Sequence, residues 1–383
     1  MRGLRRASRR HIDWRGTELA GWLVAGGVLE LAAATGLAYV AGFWAVLDAF
    51  ARMPGRWPWL MAMLGALGTS FAGYYYAYQG IYHAEGGYEL TGRQMRALVA
   101  AAFGGLLAQG GTTPDDLALQ AAGAGRRDAL VRVGALGGAE QGVLAIGGWA
   151  ASIAVLLLGL SLPPADFTLP WVIVPVPAAA LVLWLAGRYA GRLRRYGGWR
   201  GTLSVLLDAF LLTRTIFSRP LQNGYALAAM ALFWAGDAFA VWTALAVFGL
   251  RMDGAAFVVG YCTGMVLTRR TAPLAGAGIL MLILPVTLWY SSAPLAVAVA
   301  GVFAYRVLSI WVPMPFALAG LPVLRGIARQ TVPSHDDLGP QDGPGGPGGP
   351  GGTGGAGGPG GRGAHGIVPG VPKPASRRDS GTA

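Results

Sequence analysis

The chain has 383 residues, of which 54% are hydrophobic and only 13% charged; soluble domains carry roughly twice that charged fraction, so a string of soluble domains is excluded. The net charge of +12 sits in short arginine clusters between apolar stretches, the pattern of cytoplasmic loops rather than of a nucleic-acid-binding face. With Cys262 as its single cysteine, and with His11, His83, His335 and His365 scattered, the chain shows neither a disulfide framework nor metal-ligand spacing.

Residues 1–19 read as a basic cytoplasmic arm, because Met1 to Arg15 carries six arginines and leads straight into an apolar stretch. Apolar segments follow at 20–47, 58–80, 94–110, 130–160, 168–187, 224–250, 255–290 and 293–320. The long ones approach or exceed the ~20 residues that cross a ~30 Å hydrocarbon core. The expected fold is therefore all-α: a polytopic transmembrane helical bundle over residues 20–325, with about 6–8 membrane segments. Between the fifth and sixth segments, Gly201 to Arg219 sets Asp208, Arg214 and Arg219 among apolar residues at helical spacing, which suits a helix lying on the membrane surface.

Charge gives the topology. The arm and the loop 188–200, with Arg188, Arg192, Arg194, Arg195 and Arg200, are expected inside, and the loop 161–167, whose one charge is Asp166, outside. Arg126, Arg127 and Arg132 then fall inside as well. Three apolar segments lie between residues 15 and 126, and an odd number of crossings cannot return to the same side. The expected solution is that 94–125 enters and leaves by one face. It contains Gly104, Gly105, Gly110 and Gly111 and ends at Pro114-Asp115-Asp116, the composition a re-entrant break needs. Segment 255–290 is broken likewise, by Arg269-Arg270-Thr271-Ala272-Pro273 and then Gly276 and Gly278. If it enters from outside, the last span ends inside, beside Arg325 and Arg329. Two opposed breaks are the arrangement of transporters with inverted repeats. Residues 326–383 are rich in Gly and Pro and read as a disordered cytoplasmic tail.

A charge at the bilayer centre costs roughly 2.5–3.5 kcal/mol on insertion scales, so the intramembrane charges are the informative residues: Glu30, Glu140, Asp237, Arg269, Arg270 and Arg306. Arg269 and Arg270, at the second break, suit a phosphate or carboxylate headgroup or, alternatively, anchor a cytoplasmic loop. Arg306, next to Tyr305, is too deep to reach water easily and is expected to contact a headgroup or to pair with Glu140 or Asp237. Glu30 fits a structural hydrogen bond better. Glu140 lies beside a stripe of Gly134, Gly138 and Gly142, a bare face on which another helix can pack closely. The clusters Trp57/Trp59 and Tyr74–Tyr76 read as interfacial belts. The sole lysine, Lys373, lies in the tail and there is no Walker A motif, so ATP hydrolysis is not expected. No Ser-His-Asp arrangement stands out; no enzymatic activity and no cofactor are expected.

The stretch RRTAPLAGAGILMLILPVTLWYSSAPLAVAVAGVFAYRVLSIWVP resembles the signature region of the lysylphosphatidylglycerol synthase transmembrane, or flippase-like, family. Pro273, Gly276 and Gly278 match the family's break and Tyr305-Arg306 its dipeptide; Pro114-Asp115 and Glu140 match the earlier half more loosely. The chain departs from the family at Met281, where an acid often follows the break, and at Glu140-Gln141, where the family has Glu-Arg. It also lacks the soluble aminoacyl-transferase domain. The resemblance implies a bundle in the cytoplasmic membrane that binds and translocates an amphiphilic phospholipid or lipid-linked molecule without ATP. A headgroup path would run past Arg269, Arg270, Arg306, Tyr305, Glu140 and Asp237. The alternative is a non-transporting scaffold for a cell-envelope enzyme.

Overall fold

In a computed structural model the described residues are 16–51, 56–103, 113–159, 164–196, 198–268 and 279–331. Arg269, Arg270, Pro273, Gly276, Gly278 and most of the expected arm and tail lie outside them. Every regular element among the described residues is helical: α1 Gly16–Ala41, α2 Phe43–Ala51, α3 Trp57–His83, α4 Gly92–Phe103, α5 Thr113–Ala121, α6 Arg126–Leu158, α7 Ala165–Ile173, α8 Pro175–Leu193, α9 Trp199–Ser218, α10 Pro220–Val247, α11 Gly254–Leu267, α12 Leu280–Tyr290, α13 Leu295–Arg306, a π-helical turn Val307–Trp311, and α14 Met314–Thr331. The last helix thus runs past the expected edge of the tail at 325.

Six helical stretches among the described residues are long and apolar enough to cross a membrane. A helix suits that solvent because it satisfies its backbone polar groups internally. The outer surface matches: Val24, Leu157, Val176, Trp184 and Phe316 are all more than half exposed. The chain is an all-α polytopic membrane bundle. The first apolar segment divides at Gly42, whose φ of +90° favours glycine, so α1 and α2 are separate helices.

The centre of the bundle is the antiparallel pair α3 and α10. A Cβ added to Gly73 would stand 2.5 Å from the Phe233 nitrogen and 2.9 Å from the Ala229 oxygen, so the backbones touch there. A Cβ on Gly236 would stand 2.7 Å from the Ser70 nitrogen and 2.9 Å from the Ala66 oxygen. The two contacts are each other's image. Ala66 and Ala229, Ser70 and Phe233, and Gly73 and Gly236 stand at one constant spacing along the chain, as a twofold axis between the helices requires. The same spacing lays Phe71-Ala72-Gly73 on Trp234-Ala235-Gly236 and Tyr76-Ala77 on Phe239-Ala240.

The rest of the bundle follows that symmetry. Each half supplies a central helix, a pair of short helices and a long closing segment: α3, α4/α5 and α6 in the first; α10, α11/α12 and α13–α14 in the second. Of the expected breaks, residues 104–112 and 269–278 lie outside the described residues, while Pro114 and Asp115 fall in the first turn of α5 rather than in a break. In the second pair Gly260 meets Ser291 and Gly264 meets Leu284, so α11 and α12 form an antiparallel hairpin. Across the halves, α4 and α5 pack on α14 and α11 packs on α6, while α12 packs on α13 of its own half.

The glycine stripe of α6 receives α9. Gly134, Gly138 and Gly142 face Ala209, Thr213 and Phe217, so the two helices advance in the same direction. The expectation of a surface helix needs correction at Asp208, which is turned into the protein, while Arg214 and Arg219 stay exposed. Asp208 is buried and accepts from Arg127 and Arg194, each at 2.6 Å, whereas Leu206 is exposed.

Candidate functional site: a buried acid–tyrosine track

The intramembrane charges gather where α3 and α10 cross. Glu140 of α6 accepts a short hydrogen bond from the Tyr74 hydroxyl of α3. The backbone carbonyl of Glu140 accepts from Trp234 Nε1 of α10 at 2.9 Å. One turn further along α10, Asp237 accepts from Tyr261 of α11 at 2.6 Å and from Tyr305 of α13 at 2.8 Å. All three members of this second group are buried. Next to Tyr305, Arg306 Nε donates to Glu30 Oε1 of α1 at 2.7 Å, with both side chains buried. Asp115, buried at the start of α5 beside Pro114, lies within electrostatic reach of Tyr78, Tyr82 and Glu140.

Aromatic rings join these groups into one track. Tyr74 packs on Phe233 with centroids 4.5 Å apart, and Trp234 on Tyr261 at 6.3 Å. Because Tyr74 and Asp237 are images under the pseudo-twofold, the two halves carry the same interaction with donor and acceptor exchanged. A tyrosine on the central helix meets an acid on the closing helix in the first half, and the reverse holds in the second. Phenol and carboxylate are suited to this depth, since each satisfies the other without a free charge facing lipid.

The sequence-derived set thus divides. Glu140, Asp237, Tyr305, Arg306 and Asp115 lie on the track; Arg269 and Arg270 lie outside the described residues. Arg306 forms an ion pair with Glu30, a residue expected to make only a structural hydrogen bond. The sequence reading missed Tyr74, Trp234 and Tyr261. Tyr74 was assigned to an interfacial belt, but it is buried in the core. The signal that finds it is its register with Asp237 in the repeated Ala-Gly motif. A π-helical turn begins directly after Arg306, and such turns often accompany functional positions in helices. Met281 and Gln141, where the chain departs from the resembled family, differ in setting. Met281 is buried among apolar side chains, while Gln141 presents a buried Oε1 that lacks a hydrogen-bond donor among the described residues.

Outside the hydrocarbon zone, Arg132 ties the start of α6 to the end of α3. It donates to the carbonyls of Tyr82 and Ala84 at 3.1 and 2.9 Å and pairs with Asp128 at 3.2 Å. Its guanidinium also lies over the Tyr88 ring, whose phenol is raised above its ordinary pKa chiefly by a hydrogen bond to Asp128.

Comparison of the chain with protein-family models, curated proteins and solved structures gives no match.

Proposed function

We propose that this membrane protein binds an amphiphilic, phosphate-bearing lipid and passes its headgroup across the cytoplasmic membrane along the acid–tyrosine track, without hydrolysing ATP. The observation that carries the reading is the position of the track. Buried Asp237 and half-buried Glu140 sit at the crossing of two antiparallel, image-related helices, flanked by two pairs of short helices. Ionisable groups at that depth mark substrate paths, and interrupted helices in inverted halves mark midplane binding sites. The resemblance to the flippase-like family points the same way. In this reading Arg269 and Arg270, in the break between α11 and α12, receive the phosphate, and Arg306 lies further along the path.

The proposed orientation places both termini in the cytoplasm. Arg219 pairs with Glu85 at 2.9 Å, so the junction of α9 and α10 lies beside the turn after α3. Arg93, Arg96, Arg126 and Arg127 belong to that end of the bundle, whereas Arg56 donates to the Val247 carbonyl at the other end. The richer end is the cytoplasmic one by the positive-inside rule.

The test is headgroup translocation of labelled anionic and zwitterionic lipids in proteoliposomes. Wild type should exceed empty liposomes. Arg269→Ala/Arg270→Ala and Arg306→Ala should each slow it by about tenfold or more, the equivalent of roughly 1.4 kcal/mol of barrier. Wild-type rates no higher than those of empty liposomes would refute translocation and favour the scaffold.

A further inference from the structure

A groove of about 620 Å³ opens on the side of the bundle between α3, α4 and the segment from the π-helical turn through α14. That is the size of a small-molecule site, about 300–1,000 Å³. Leu67 and Phe71 of α3, Leu308 of the π-helical turn and Phe316 of α14 supply apolar walls. The charge in its lining comes from Arg93 and Arg96 of α4. Both guanidiniums are exposed, and among the described residues neither makes a hydrogen bond or ion pair. Arg127, Arg132, Arg194 and Arg219, by contrast, all have carboxylate partners.

The inner wall of the groove leads to the track. Phe71 packs on Phe103 with centroids 4.6 Å apart, and Phe103 on Tyr74 at 5.6 Å. Tyr74 is the phenol that bonds Glu140. One aromatic layer therefore separates an apolar lateral groove with a cationic rim from the buried polar groups.

We propose that this groove is a lateral port for an anionic phospholipid, with its phosphate between Arg93 and Arg96 and an acyl chain along the apolar walls. Two forked guanidiniums suit phosphate oxygens, and the long apolar lining suits a chain that never leaves the hydrocarbon phase. The inference rests on the translocation reading and deepens it by naming the substrate class and its point of entry.

The test uses the full chain, delipidated and then supplied with phosphatidylglycerol or phosphatidylcholine, with retained lipid counted by native mass spectrometry. Wild type should retain phosphatidylglycerol in preference. Arg93→Gln/Arg96→Gln should weaken that retention about twenty-five-fold, the product of two basic residues each worth about a factor of five near an anionic lipid. Leu67→Trp, which fills the groove, should lower retention of both lipids. Equal retention by wild type and the arginine double variant would overturn the port, as would equal retention of the two lipids by wild type. A second copy or another transmembrane helix seated in the groove would overturn it too. Translocation measured on the same preparations separates the two proposals. Selective retention without lipid movement keeps the site and refutes translocation, and movement with unchanged retention in the double variant does the reverse.

Discussion

Tyr74 and Asp237 occupy equivalent places on two helices that cross at reciprocal glycine contacts, and each makes the tyrosine–carboxylate bond that its counterpart makes in reverse. The crossing fixes where the polar groups meet, so the crossing and the track are tested separately below.

The crossing tolerates no added carbon. Gly73→Ala and Gly236→Ala each drive a Cβ into the backbone of the partner helix, and each should destabilise the protein by about 1–3 kcal/mol. Gly65→Ala meets nothing within 4 Å and should stabilise by about 0.5–1 kcal/mol through helix propensity alone. Thermal unfolding in detergent ranks the three. Similar losses at Gly73 and Gly236 are expected from their reciprocity.

The Glu30–Arg306 pair is buried. Glu30→Ala should cost about 3–5 kcal/mol, because it removes one side of a buried ion pair. Adding Arg306→Met should recover part of the loss, with a coupling of about 1–3 kcal/mol in a double-mutant cycle. Additive losses would mean that the pair contributes no coupling.

Orientation is open to chemical labelling. In a Cys262→Ser background, cysteines at Thr91 and Ser218 should react with an impermeant maleimide only from the cytoplasmic side, and one at Asp253 only from the opposite side. Thr91 and Ser218 flank the Arg219–Glu85 junction, so labelling of these two from opposite faces would contradict the arrangement.

Much of this was legible in the sequence. Hydropathy located most of the long apolar helices, but Trp199–Ser218, expected to lie on the membrane surface, is among those long and apolar enough to cross. The cost of burying charge singled out Glu140, Asp237 and Arg306. Their partners were not legible: Glu30 and Arg306 are 276 residues apart in the chain, and pairing between helices is set by packing rather than by periodicity. Asp208 misled for the same reason. Its spacing is right for a surface helix, but Arg127 and Arg194 hold its carboxylate in a buried position. The repeat itself lies in an Ala-Gly pair and a few aromatics, too little to notice until Gly73 and Gly236 are seen facing each other's helix.

The track can be altered without altering its shape. Glu140→Gln keeps an acceptor for Tyr74 and removes the carboxylate charge; Asp237→Asn keeps an oxygen acceptor for one of Tyr261 and Tyr305, and the other phenol must turn to accept from the new amide nitrogen. Glu140→Gln should leave thermal stability within about 1 kcal/mol, because its hydrogen bond persists and loses only charge assistance, and Asp237→Asn should cost about 1–2 kcal/mol, because one of its two bonds must reverse direction.

The measurement that bears most directly on the central claim is headgroup translocation in proteoliposomes by wild type, Glu140→Gln and Asp237→Asn, each shown to be folded. The account predicts lipid movement in wild type and a loss of about tenfold or more in both isosteric variants, the rate equivalent of roughly 1.4 kcal/mol. Movement at the wild-type rate in both variants would contradict the assignment of the acid–tyrosine track as the headgroup path.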